Sequence, residues 1–197
     1  MALLLVTLGC WLTRISFGGS MKLLFAMLVS CAAIAQTWVE QRTFVSSGSV
    51  TPRIDGLITG RLSGKLGAFV WFQTQEGYSE SYGGLTYDPK PWLQLAGGVG
   101  IEEAKNPARA GGFVWMGNAK TSVLFIPEYG GSGFWLKTEL NRKVSKSLRV
   151  GILTERYKGT GPRVEYKIPY TPLFLWGAPM FERNRINVIF AIRWVKK

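Results

Sequence analysis

Carboxylates are the only side chains here whose spacing resembles acid–base machinery. They form two pairs, Glu76 with Glu80 and Glu102 with Glu103. Glycoside hydrolysis needs two carboxyl groups facing each other across a substrate, and nothing in the pattern around either pair sets up that geometry. The sequence has no histidine. Ser-His-Asp and Cys-His triads and HExxH zinc sites are therefore excluded. Both cysteines, Cys10 and Cys31, lie in the N-terminal 35 residues, so a chain that loses this segment has no thiol for a disulfide or a zinc thiolate site. Gly97-Gly98-Val99-Gly100 has the glycine density of a phosphate-cradling loop, but it sits inside an alternating apolar stretch with no helix after it. Those glycines are read as sites of bending or close packing. The sequence is read as non-enzymatic, with no cofactor and no metal.

The remaining chemistry is charge. The formal net charge is +12, and the basic residues are spread singly with no run of five like charges. That pattern argues against a nucleic-acid-binding tail. Lys137, Glu139, Arg149, Glu155, Arg163, Glu165, Lys167 and Arg193 fall on the polar face of alternating stretches. Two readings stay open. These side chains line a pore that favours anions, or they pair with one another inside a plugged lumen.

Elements that could position them are strands. Hydrophobic residues make up 47% of the chain and charged residues 18%, with 24 Gly, 8 Trp, 7 Tyr and 11 Phe. From Thr37 onward, runs with period-two alternation are separated by short turn signals such as Ser46-Ser47-Gly48-Ser49, Asp88-Pro89-Lys90-Pro91 and Lys158-Gly159-Thr160-Gly161. The pattern predicts strands near 37–45, 51–62, 66–75, 81–88, 92–103, 108–118, 120–129, 133–142, 147–157, 163–169, 173–180 and 185–195. The expected fold is all-β, an antiparallel up-and-down meander of about 12 strands (range 8–14) closed into a barrel, because an open meander leaves adhesive edges. Residues 36–197 read as one domain. The connections are short throughout, which argues against an adhesin.

Residues 1–35 read as a signal segment. Lys22 precedes an apolar run from Leu23 to Val29, and Ala33-Ile34-Ala35 offers a cleavage site before Gln36. Met21 is the expected true start. Leu28-Val29-Ser30-Cys31 also matches a short lipobox, so cleavage after Ala35 and lipidation at Cys31 both remain open.

With its signal segment, alternating strands and final amphipathic stretch Ile186–Trp194 (INVIFAIRW), the chain resembles bacterial outer-membrane β-barrel proteins as a class. Members usually end in an aromatic residue, whereas here Trp194 is followed by Val195, Lys196 and Lys197. The resemblance implies an outer-membrane location. It also implies a lipid bilayer and the outer-membrane insertion machinery as partners. The implied function is that of a narrow channel or a structural envelope protein. The alternative is a soluble periplasmic or lipid-tethered barrel that binds a small apolar ligand. A membrane barrel places Val188, Phe190 and Ile192 towards lipid and Asn187 and Arg193 in the lumen. It also sets Tyr82, Tyr87, Trp92, Tyr129, Phe134, Tyr157, Tyr170 and Trp194 in interfacial girdles.

Overall fold

The structure, a computed structural model, describes residues 37–183 and 185–196. The signal segment and its two processing routes lie outside the described residues. Twelve antiparallel strands follow in order: β1 Thr37–Ser46, β2 Ser49–Ser63, β3 Leu66–Gln75, β4 Tyr78–Lys90, β5 Leu93–Glu102 and β6 Ala108–Gly117, then β7 Thr121–Gly130, β8 Gly133–Lys143, β9 Leu148–Glu155, β10 Gly159–Lys167, β11 Leu173–Glu182 and β12 Arg185–Lys196. Each pairs with its sequence neighbour, and β1 pairs with β12 to close the barrel. Thr37 stands opposite Lys196. The ends of the first and last strands therefore share one rim, the terminal rim, along with the β2–β3, β4–β5, β6–β7, β8–β9 and β10–β11 turns.

Connections are two to five residues long at both rims. The tightest turns use glycine where a left-handed backbone is required, as at Gly48 (φ 81°) and Gly133 (φ 92°). The largest shifts from the predicted boundaries fall at β4 and β10. Asp88-Pro89-Lys90 stays within β4, whose register shifts between Tyr87 and Lys90, so Pro89 marks a bulge while Pro91 stands in the turn. The β10 strand starts at Gly159, because the turn is made by residues 156–158, with Tyr157 at φ 67°, and of the predicted turn signal only Lys158 belongs to it. Gly161 lies in the strand, where a Cβ would fall 1.6 Å from the Pro179 carbonyl oxygen.

The strands alternate as a membrane barrel requires. Outward positions are mostly apolar or small, with Gln41 a polar exception in mid-β1, and the charged exceptions among the described residues stand at strand ends, as Arg142 on β8 and Lys196 on β12 do. In β12, Ile186, Phe190, Ile192 and Trp194 lie on the exposed outer face, whereas Asn187, Ile189 and Ala191 are buried within. This is the surface of a barrel solvated by lipid. It does not favour a soluble barrel, which would keep its apolar face inside. Tyr87, Trp92, Tyr170 and Trp194 are exposed toward the terminal rim, and Tyr129, Phe134 and Tyr157 toward the opposite one. Tyr82 departs from the expected girdle. It is 2% exposed and points into the lumen, where its hydroxyl has a carboxylate partner.

Candidate functional site

Period-two geometry sends every second side chain of all twelve strands into one lumen. That lumen is packed. One buried apolar cluster joins Phe44, Leu153, Trp176, Ala178, Met180, Ile189 and Ala191. A second joins Phe69, Trp71, Tyr82, Phe113 and Ile126, with Trp38 and Trp135 against it. Its rings meet edge to face, Trp38 on Trp71 at 5.4 Å and Phe69 on Phe113 at 5.5 Å.

Between these clusters runs a ladder of ion pairs. Arg149 bonds Glu165 at 3.1 Å, and Arg163 bridges Glu165 at 2.7 Å and Glu139 at 2.5 Å. Lys137 reaches Glu139 at 2.7 Å. Arg193 donates to Glu40 at 2.5 Å and lies 3.6 Å from Glu165. Glu40 also accepts from Arg42, which continues to Asp55 and Glu155, each at 3.0 Å. Arg53 completes the ladder with Glu155 at 3.1 Å. The guanidinium carbons of Arg42 and Arg163 stand over the Trp176 ring, 5.3 Å and 4.3 Å from its centroid, while Trp176 Nε1 donates to Glu40 at 2.6 Å.

Near the opposite rim Arg109 sits among three carboxylates: Glu80 at 2.8 Å, Glu102 at 2.6 Å and Glu128 at 2.5 Å. Glu80 and Glu102 are direct cross-strand partners on β4 and β5. The Tyr78 hydroxyl lies 2.7 Å from each, and the Tyr82 hydroxyl donates to Glu128 at 2.9 Å. One carboxylate of each pair picked out in sequence, Glu80 and Glu102, thus converges on an arginine, while Glu76 and Glu103 lie outside this cluster. The glycines of β5 make room for it. A Cβ on Gly100 would lie 2.4 Å from Tyr82 Cα.

All eight charged residues singled out in sequence occupy the inward face, on the consecutive strands β8, β9 and β10 and on β12 beyond β11. Lys137, Glu139, Glu155, Arg163 and Glu165 are buried at mid-height. Arg193 is nearly so, and Arg149 is half-exposed. Lys167 stands free at the mouth, without an ion pair among the described residues. At that mouth, on the terminal rim, a cavity of about 440 Å³ is lined by Lys143, Lys146, Arg149, Lys167, Glu165 and Phe174, among others. Sequence reading missed much of the other half of the lumen, Glu40, Arg42, Arg53, Asp55, Arg109 and Glu128, and singled out Glu80 and Glu102 as members of carboxylate pairs without placing them there. The signal was present in the period-two spacing of Glu40 with Arg42 and Arg53 with Asp55. It was masked because Trp38 and Phe44 share their face, so the inner side does not read as polar.

No family model and no curated protein matches the chain. Solved structures do. The KdgM porin superposes with a TM-score of 0.58 at 14% identity, covering 81% of this chain and 99% of that one. The outer membrane protein Omp33 of Acinetobacter baumannii gives a TM-score of 0.53 at 9% identity, covering 81% and 97%. The NanC porin gives 0.51 at 10%, covering 81% and 99%. The chain thus shares the closed twelve-stranded barrel fold of these outer-membrane proteins, with an outer surface of the lipid-facing kind.

Proposed function

We propose that the protein is a narrow outer-membrane channel for small ions, non-enzymatic, with the ion-paired ladder as its constriction. The observation that carries this reading is the ladder's continuity. It begins at half-exposed Arg149 in a basic vestibule and passes pair by pair to Arg53 toward the opposite rim. Charged side chains that hold each other in series can exchange partners with a passing ion, which a purely apolar plug cannot do. Lys143, Lys146, Arg149 and Lys167 at the entrance favour anions. The KdgM porin has been solved in complex with disordered oligogalacturonate, and an acidic cargo suits such an entrance. Delivery by a signal segment cleaved before Gln36, and assembly by the insertion machinery on the final strand, belong to the same proposal.

The second reading is a purely structural envelope barrel. It is favoured by the complete burial of Arg42, Lys137, Leu153, Met180 and Ile189 inside the lumen. Single-channel recording in planar bilayers separates the two. A channel gives small, anion-preferring steps in the wild type, which grow when the lumen is widened by Trp176→Ala with Met180→Ala. Silence in both proteins supports the structural reading and overturns the channel.

A further inference from the structure

The luminal charges nearly cancel. Carboxylates at Glu40, Asp55, Glu80, Glu102, Glu128, Glu139, Glu155 and Glu165 face cations at Arg42, Arg53, Arg109, Lys137, Arg149, Arg163 and Arg193. The basic excess of the chain therefore lies elsewhere, and most of it lies at one rim. Lys65, Lys90, Lys120, Arg142, Lys146 and Lys196 are all exposed on the terminal-rim turns and strand ends. None of them makes an ion pair among the described residues, and the one carboxylate at that level, Asp88, is held by Gln94 at 2.8 Å. The opposite rim is mixed, with Glu76, Glu103 and Glu182 among its cations.

Backbone hydrogen bonds between successive turns fix these cations as a ring. Asp88 N–H donates to the Lys65 carbonyl, Gly117 to Trp92, Lys143 to Lys120, Lys167 to Ser147 and Val195 to Pro172. The ring is interleaved with exposed apolar groups. Leu62, Trp92, Val144 and Tyr170 stand on the same turns, with Tyr170 fully exposed. Arg142 and Lys196 point outward, in line with the lipid-facing residues Leu140 and Trp194. Cations mixed with aromatic and aliphatic tips at the edge of an apolar belt match the interface of an anionic membrane leaflet. A soluble polyanion would be met by cations without those tips.

We propose that the terminal rim binds anionic phospholipid headgroups of the leaflet in which it sits, so that the collar fixes how the barrel lies across the membrane. This rests on the membrane-barrel fold but not on conduction. A silent barrel leaves it intact.

The test uses the folded barrel in mixed micelles with equimolar phosphatidylglycerol and phosphatidylcholine, with retained lipid counted by mass spectrometry. Heat-modifiable migration confirms folding of every sample. The wild type should retain phosphatidylglycerol at about fivefold excess or more, since each cation near an anionic surface favours binding about fivefold. The excess should shrink in 0.5 M salt, a condition chosen because charge attraction at that strength is screened within roughly 4–5 Å. A variant carrying Lys65→Gln, Lys90→Gln, Lys120→Gln, Arg142→Gln and Lys196→Gln should lose the excess. One carrying Lys105→Gln, Arg183→Gln and Arg185→Gln should keep it. If the collar variant does not fold, the salt dependence and the opposite-rim variant still decide. Equal retention of both lipids by the wild type overturns the proposal. Equal loss in both variants also overturns it, because net charge rather than the collar would then be responsible. Binding of cell-wall fragments without phosphatidylglycerol enrichment reassigns the collar to that polymer.

Discussion

Arg193 on the last strand donates to Glu40 on the first, Nε to Oε2 at 2.5 Å, across the seam where the barrel closes. Glu40 is fully buried and also accepts from Arg42 and from the Trp176 indole. One carboxylate thus accepts from two guanidiniums and an aromatic N–H. Removing it takes the shortest partner from Arg193 and the acceptor from the Trp176 indole, and leaves Arg42 with Asp55 and Glu155 alone in a packed lumen. Glu40→Ala should destabilise the barrel by about 3–5 kcal/mol, the usual cost of breaking a buried pair from one side. Arg193→Gln should cost less, because the Arg193 side chain is 15% exposed and water can take up part of the lost interaction. Urea unfolding of barrels refolded into vesicles measures both.

Among the described residues, Arg109 is the single cation paired with Glu80, Glu102 and Glu128. Arg109→Ala leaves three like charges together with only neutral donors, among them the Tyr78, Tyr82 and Ser132 hydroxyls and the Ser132 N–H. The expected loss is again about 3–5 kcal/mol. Tyr82→Phe removes one donor to Glu128 and should cost about 1–3 kcal/mol. The same unfolding measurement applies, and a smaller effect for Arg109→Ala than for Tyr82→Phe would contradict this assignment of roles.

Much of this fold was legible because turn chemistry and period-two alternation agree. Every predicted strand has a counterpart, and the register of the last strand places Phe190 outward and Asn187 inward as the alternation requires. Legibility failed where the inner face is itself apolar. In β3, Phe69 and Trp71 point inward while Val70 and Phe72 point outward, so polarity cannot assign a face. It failed again for Tyr82, whose ring looks like a girdle aromatic but whose hydroxyl pairs with Glu128, 46 residues away. Long-range pairing of that kind leaves no local trace. The balance of the luminal charges was hidden for the same reason, since it depends on which strands closure makes neighbours.

Glycine positions in β5 should separate sharply by face. A Cβ on inward Gly100 would lie 2.1 Å from the Ser81 carbonyl oxygen, whereas one on outward Gly97 meets nothing within 4 Å. Gly100→Ala should therefore lower stability by about 1–3 kcal/mol through overpacking. Gly97→Ala should stay within about 0.5 kcal/mol of the wild type, as surface changes usually do. Comparable effects of the two would mean that the inward face of β5 is not as closely packed as its backbone contacts require.

Phe190 provides the most direct test of which face meets lipid. It lies near the middle of β12, opposite Thr43 on β1 and Gly177 on β11, with its ring outward and 58% exposed. An arginine at the bilayer midplane of a barrel costs roughly 2–4 kcal/mol, falling to about 0–1 near the interfaces. Phe190→Arg should lose the larger amount in vesicles, and Trp194→Arg, beside the terminal rim, the smaller. Ala191→Arg is no mild control, because Ala191 packs in the cluster with Phe44, Trp176 and Ile189; a guanidinium there displaces side chains and enters an apolar site without a partner of its own. It should fail in detergent as well as in lipid. Phe190→Arg should be tolerated far better in detergent, whose thin and deformable belt lets the guanidinium reach water. A Phe190→Arg loss of the same size in both media would show that the penalty comes from packing rather than from lipid, and the outward assignment of this face would be wrong.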